Sequence, residues 1–313
     1  MRLITFLTIV SFISPLCADD VILRRGKFHS PEQAQAEMQA RWESYGTKEK
    51  WQQHAAAIRQ GILDGAGLVI PAKRDVPAAT RHSFQSCASY TVENVALETA
   101  PGFFVCGNLY LPTQRKNMPV MLCTHGHWPG KSFTEHGRFQ DAMQSRCATL
   151  ARMGCAVFAW DMVGHGESAA AGWSHGKDPA EMRLQLWNSV RVLDYMLSLP
   201  GVDPRRVAIT GESGGGTQAF LLAAIDPRIT ASIPCVMVSS WFYGGCPCES
   251  GLPIHVRPHH IANNLEIAAV IAPKPLLLIS DGKDWTAQVP QLEFPHLQKI
   301  YRLFDKADAR SEE

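Results

Sequence analysis

Five short apolar runs, set apart by helical stretches, constrain this chain more than any other feature of it. They are PVMLCTH (119–125), CAVFAWD (155–161), RVAITGE (206–212), ASIPCVMV (231–238) and KPLLLIS (274–280). None shows the apolar–polar alternation of a strand with one wet face. Between them the spacing turns helical, over Phe139 to Met153, Met182 to Leu199 and Thr217 to Ala224, with Leu186, Trp187, Val190, Leu193 and Leu197 on one face of the second stretch. Strands buried on both faces and alternating with helices imply an α/β chain: a mainly parallel sheet covered by helices on both sides. In open sheets of this kind ligands gather at the carboxyl ends of the strands.

Upstream the pattern differs. Residues 30–68 read as helical, with Ser30 as N-cap, Pro31 in the first turn and Glu32 behind it, and Pro71 to Pro77 end the pattern. From about Tyr90, YTVENVALET and FFVCGNLYLP read as a hairpin turning at Pro101-Gly102. With 313 residues and 46% hydrophobic content the chain can bury a large core. The expected organisation is a leader over 1–18, a helical segment over 19–89 and the α/β domain over 90–313.

The leader reading rests on Arg2, the mainly apolar run Leu3–Ile13 and the small residue Ala18 before Asp19-Asp20. Such a run is too short to cross a bilayer and suits a cleaved secretory signal. The mature protein is therefore expected outside the cytoplasm, secreted or periplasmic, and off the membrane. Thirty basic against 29 acidic residues give no field for nucleic acid. Oligomeric state leaves no trace in the sequence. Cys123, Cys155 and Cys235 lie in apolar runs and read as small buried hydrophobes, whereas Cys246 and Cys248 in the loop GGCPCES are placed to pair or to line a pocket.

Chemistry concentrates at the strand ends. Gly211-Glu212-Ser213-Gly214-Gly215 follows RVAIT and opens TQAFLLAAI, the strand–turn–helix context of a nucleophile elbow. Ser213 is the expected nucleophile. The loop after PVMLC, Thr124-His125-Gly126-His127, supplies the second oxyanion donor in such a site, so the backbone N–H groups of His127 and Gly214 are expected to form the hole. His125 and His127 also make an H-x-H pair, but no further metal-ligand spacing accompanies it, and no metal is expected. Asp161 to Ser168 reads as a supporting loop, with His165 in it. The acid is expected after KPLLLIS, at Asp284, with Asp281 as the alternative. Trp241, Phe242 and Tyr243, in the loop 241–262, are expected to wall the substrate pocket.

From about Glu93 onward the chain resembles α/β-hydrolases of the acetyl-xylan-esterase-like and dienelactone-hydrolase-like kind. The resemblance rests on ENVALETAPGFFVCGNLYLP, HGHWPGK, HGKDPAEMRLQLWNSVRVLDYM, VDPRRVAITGESGGGTQ, GGCPCES and NNLEIAAVIAPKPLLLISDGKDWT. It implies an α/β-hydrolase fold and hydrolysis of a carboxylic ester, often an acetyl group on a carbohydrate, without a cofactor. Relatives continue past the helix matching Leu292–Phe304 into a last strand, with the catalytic His in the loop after it. That strand and that His are expected to be missing here, as in a member truncated at its C-terminus. His296 alone follows Asp284 and reads as a helix-cap or surface residue; His255, His259 and His260 break the usual chain order. The competing functions are a non-catalytic binding protein or impaired fragment, a serine peptidase and a metal-dependent hydrolase.

Overall fold

The computed structural model describes residues 29–127, 137–178, 180–250, 252–258, 260–306 and, as backbone, 310–312. The leader-like segment 1–18 and His259 lie outside the described residues. Two helices come first, α1 (Pro31–Tyr45) and α2 (Lys48–Ala66). Ser30 caps α1 with a reciprocal capping box to Gln33. Thr47 restarts the helix by accepting the Lys50 N–H, so the predicted helical stretch is two helices with a break at Gly46-Thr47.

The strands follow as β1 (Ala79–Ser86), β2 (Tyr90–Ala100), β3 (Phe103–Pro112) and β4 (Met118–Thr124), then helix α3 (Asp141–Arg152) and β5 (Ala156–Trp160). Next come α4 (Gly166–Ala170), α5 (Glu181–Ser198), β6 (Val202–Glu212), α6 (Gly214–Ile225), β7 (Ala231–Cys235), α7 (Pro247–Ser250), the small pair β8 (Val256–Arg257) and β9 (His260–Ile261), and α8 (Asn264–Ala269). β10 (Leu276–Leu278), α9 (Phe294–Arg302) and β11 (Arg310–Glu312) complete the order.

Among the described residues nine strands form one sheet in the order β1-β2-β3-β5-β4-β6-β7-β10-β11. The first three and β5 pair antiparallel; from β5 onward every pairing is parallel. This is the α/β-hydrolase fold. β5 is buried along its whole length, and so is α6, on which no residue is exposed. An element buried all round shows no polar stripe, which is why these segments read as unbroken apolar runs.

Two expectations need correction. The sheet does not begin near residue 90: Ala79–Ser86 pairs antiparallel with β2, with a register shift between His82 and Gln85. Every residue of β1 is exposed, so no apolar pattern marks it. Nor is the last strand missing, because Arg310–Glu312 pairs in parallel with Leu276–Leu278.

The chain passes from β4 to β5 on one side of the sheet and then to β6 on the other side of β4. That reversal opens a crevice at the carboxyl ends of β4 and β6, where His127 and Ser213 stand.

Candidate active site

Ser213 joins β6 to α6 with φ 53° and ψ −122°, a region that L-residues enter only when the surroundings force them. Its N–H donates to the Cys235 carbonyl at the end of β7, 3.0 Å away. Thr124 Oγ lies 2.7 Å from the Gly215 carbonyl and 3.2 Å from that of Thr210, joining β4 to both sides of the turn. A Cβ on Gly215 would sit 2.7 Å from the Thr124 and His125 carbonyl oxygens, so glycine is required there by close approach of backbone. The sequence expectation of a strained elbow holds in these angles and contacts.

Ser213 opens onto a cavity of about 630 Å³ whose wall includes Gly126, His127, Arg146, Glu212 and Val236. Arg146 donates to Glu212 at 2.7 Å inside that wall. Gly214 starts α6, and its N–H belongs to the unpaired first turn whose partial positive charge favours an anion. A Cβ on Gly214 would come within 2.7 Å of His127 Cε1. The two residues nominated for the oxyanion hole are therefore neighbours across the elbow.

Asp284 is placed differently. Its Oδ1 accepts both the N–H and the hydroxyl of Thr286, each at 2.6 Å, and among the described residues no hydrogen bond or ion pair joins it to Ser213 or to a histidine. The adjacent Trp285 donates to the carbonyl of Val236, a residue of the cavity wall, at 2.9 Å. Asp281 receives the Lys283 N–H and likewise serves its own turn.

The carboxylate that meets Ser213 is Glu249, which the chain-order argument passes over. Ser213 Oγ donates to Glu249 Oε1 at 3.4 Å. Glu249 is buried in α7, and the Gly245 N–H donates to its Oε2 at 2.5 Å. Burial pushes its pKa above the ordinary carboxylate value, against the backbone N–H groups of Gly245 and Cys246 that stabilise the anion. The residue lies inside GGCPCES, a loop conspicuous in the sequence for its cysteines and not for its one acid.

Four of the described histidines collect beside the elbow. His125 is fully buried; its Nε2 accepts the Met162 N–H at 3.0 Å, and burial drives its pKa down to about 3. His127 Nδ1 faces Glu249 Oε1 at 3.4 Å. Its Nε2 lies 2.7 Å from His175 Nε2, 3.0 Å from Cys248 Sγ and 3.3 Å from Cys246 Sγ. Burial, and then the charge on His175, lower the His127 pKa to about 4. For His175 burial opposes the charge, but the hydrogen bond and charge of Glu181 prevail and raise the pKa. His165 packs edge-on against His125 and His175.

The two sulfurs of Cys246 and Cys248 are in bonding contact. Among the described residues, the group that could hold a metal ion once that bond is reduced is His127, His175, Cys246 and Cys248, which shares only His127 with the H-x-H pair of the sequence. Beneath them Asp161 pairs with buried Arg138, which also reaches Glu167 at 2.5 Å and Asn108 at 2.8 Å.

The aromatic run stands apart from the cavity. Tyr243 is buried and stacks on His255 with ring centroids 4.4 Å apart, which corrects the expectation that it walls the pocket. Phe242 stacks on Trp285 at 4.5 Å, and Trp241 meets Phe242 edge-on at 6.3 Å. Neither residue belongs to the wall around Ser213. His296 is no surface residue: it is 5% exposed and meets the Tyr45 hydroxyl through Nε2 at 3.0 Å. His255 and His260 are buried against the carbonyls of Ala262 and Ile254.

The family profile of acetyl xylan esterase (AXE1) matches residues 85–242, half of the chain. A solved methylesterase, BT1017, is similar at 36% identity and a TM-score of 0.82 over 92% of this chain and 64% of its own. The 4-O-methyl-glucuronoyl methylesterase 1 of Sodiomyces alcalophilus is 27% identical over 41% of this chain and 30% of its own length. A glucuronoyl esterase from Solibacter usitatus shares the fold, with a TM-score of 0.58 at 19% identity over 83% of this chain and 82% of its own. The chain therefore spans less than two thirds of the methylesterases it matches.

Proposed function

The chain belongs to the acetyl xylan esterase family, and from that premise we propose that it hydrolyses carboxylic esters carried by carbohydrates, with Ser213 as nucleophile. The observation that carries the reading is the backbone of Ser213, at φ 53° and ψ −122°, with its hydroxyl at the wall of a cavity of about 630 Å³. Ser213 Oγ attacks the ester carbonyl carbon and gives its proton to Glu249 Oε1. A buried carboxylate with a raised pKa is a better proton acceptor than an exposed one. The N–H groups of Gly214 and His127 receive the developing oxyanion. The intermediate collapses as the proton moves on to the leaving alcohol, and water then cleaves the acyl-enzyme by the same steps in reverse roles.

Two ester types fit the family: acetyl groups on a sugar, and alkyl esters of a sugar carboxylate. The length and identity of the match to relatives named as methylesterases support a methyl ester as the preferred substrate. We infer also that the leader over 1–18 exports the protein; N-terminal sequencing of the mature form should then begin near Asp19.

Turnover of a methyl glucuronate ester and of acetylated xylan by the purified chain tests this reading, alongside labelling by a fluorophosphonate. Labelling should vanish in Ser213→Ala, and the methyl ester should be the faster substrate. Labelling that survives in Ser213→Ala rejects the assignment. Glu249→Gln should lower kcat by about a hundredfold or more, with Asp284→Asn costing less than about tenfold. The opposite ranking would return the acid to Asp284.

A further inference from the structure

We propose that His127, His175, Cys246 and Cys248 together hold a zinc ion, which clamps the loop carrying Glu249 onto the nucleophile elbow. The four donor atoms all lie within 4.8 Å of one another. A tetrahedral shell with Zn–N near 2.0–2.1 Å and Zn–S near 2.3 Å has edges of roughly 3.3–3.8 Å; the bonded sulfurs and the two Nε2 atoms, 2.7 Å apart, would have to separate by about an ångström to reach it.

The orientation of the histidines is the independent observation. Both turn Nε2 toward the sulfurs and Nδ1 toward a buried carboxylate. His127 Nδ1 faces Glu249 Oε1 at 3.4 Å, and His175 Nδ1 faces Glu181 Oε1 at 2.6 Å. Glu181 and Glu249 are 3% and 4% exposed. A carboxylate behind each imidazole is the arrangement that fixes the ring and tautomer of a metal-bound histidine. Val163 adds its carbonyl 2.7 Å from His175 Nδ1.

Donor chemistry selects the ion. Two imidazoles and two thiolates suit zinc and exclude the hard oxygen-seeking cations. Four protein donors leave no open position, so the ion holds structure and does not activate water. Its binding releases the two thiol protons to solvent. The ligands arrive on the loops that follow β4, β5 and β7, and a single ion there joins three separate crossovers beside Ser213. The structure records the oxidised state, a Cys246–Cys248 disulfide, which removes both thiolate donors, so the ion is taken up by the reduced protein.

Elemental mass spectrometry of protein purified without a histidine tag, chelator or oxidant should find one zinc per chain. After chelation under reductant, titration with cobalt(II) alone should give a tetrahedral spectrum with a thiolate charge-transfer band, saturating at one equivalent. Replacing both cysteines, Cys246→Ser with Cys248→Ser, should remove that band. Glu181→Gln, which keeps all four ligands, should weaken cobalt binding by about ten- to a hundredfold. None of these readouts involves turnover, so they stand or fall apart from the esterase reading. Reduced wild-type protein without a cobalt band would overturn the proposal. So would recovery of residues 246 and 248 as a linked pair from protein isolated without oxidant.

Discussion

Ser213 keeps a left-handed backbone that costs on the order of 1–3 kcal/mol in a non-glycine residue, and the neighbouring strands hold it there. The Ser213 N–H to Cys235 and the Thr124 bridge to Gly215 are the restraints. Two substitutions separate strain from chemistry. Ser213→Gly should gain about 1 kcal/mol over Ser213→Ala in denaturant melts, and both should be inactive. Equal stabilities would mean that the turn carries no strain. The serine, its flanking glycines and the loop at His127 were legible because each follows an apolar strand at the expected place. Glu249 was not, since its position answers to how α7 folds back over the elbow and to no spacing along the chain. No spacing along the chain joins His127, His175 and the two cysteines either, because they meet only through three crossover loops.

At the scale of elements, α1 is tied to the domain through a buried acid. Glu266, wholly buried at the start of α8, accepts from Arg41 at 2.9 Å and from the Tyr45 hydroxyl at 2.8 Å while capping its own helix through the Asn263 N–H. Burial works against its charge, but Arg41 prevails and its pKa is lowered. Arg41→Ala would strand that charge, and a loss of about 3–5 kcal/mol in unfolding free energy is expected. The double variant Arg41→Ala, Glu266→Gln should recover part of it. Most elements were readable from period and capping, including the break after Pro71. β1 was not, because a strand exposed along its whole length has no apolar face, and β11 was not, because three residues show no period.

For the molecule as a whole, acid is the weak direction. His296 packs against Trp42 and Tyr45 and faces Glu266, Arg41 and Lys299. Burial lowers its pKa from 6.5 to about 4. A depressed value means that the unfolded chain binds the proton first, so the stabilisation is complete above pH 6.5 and drains as pH falls toward 4. The share of this one ring is on the order of 3 kcal/mol. Melting temperatures at pH 7.5 and pH 5 should differ less in His296→Gln than in the wild type; an unchanged difference would assign the acid sensitivity elsewhere. The outermost strand has a consequence for crowded solutions. β1 is irregular between His82 and Gln85, turns Ser83 to a φ of 55°, and carries Arg81 bonded across to Glu93. A rim that is kinked and charged offers no straight ladder to a passing copy, which makes that side a poor template for strand pairing between molecules.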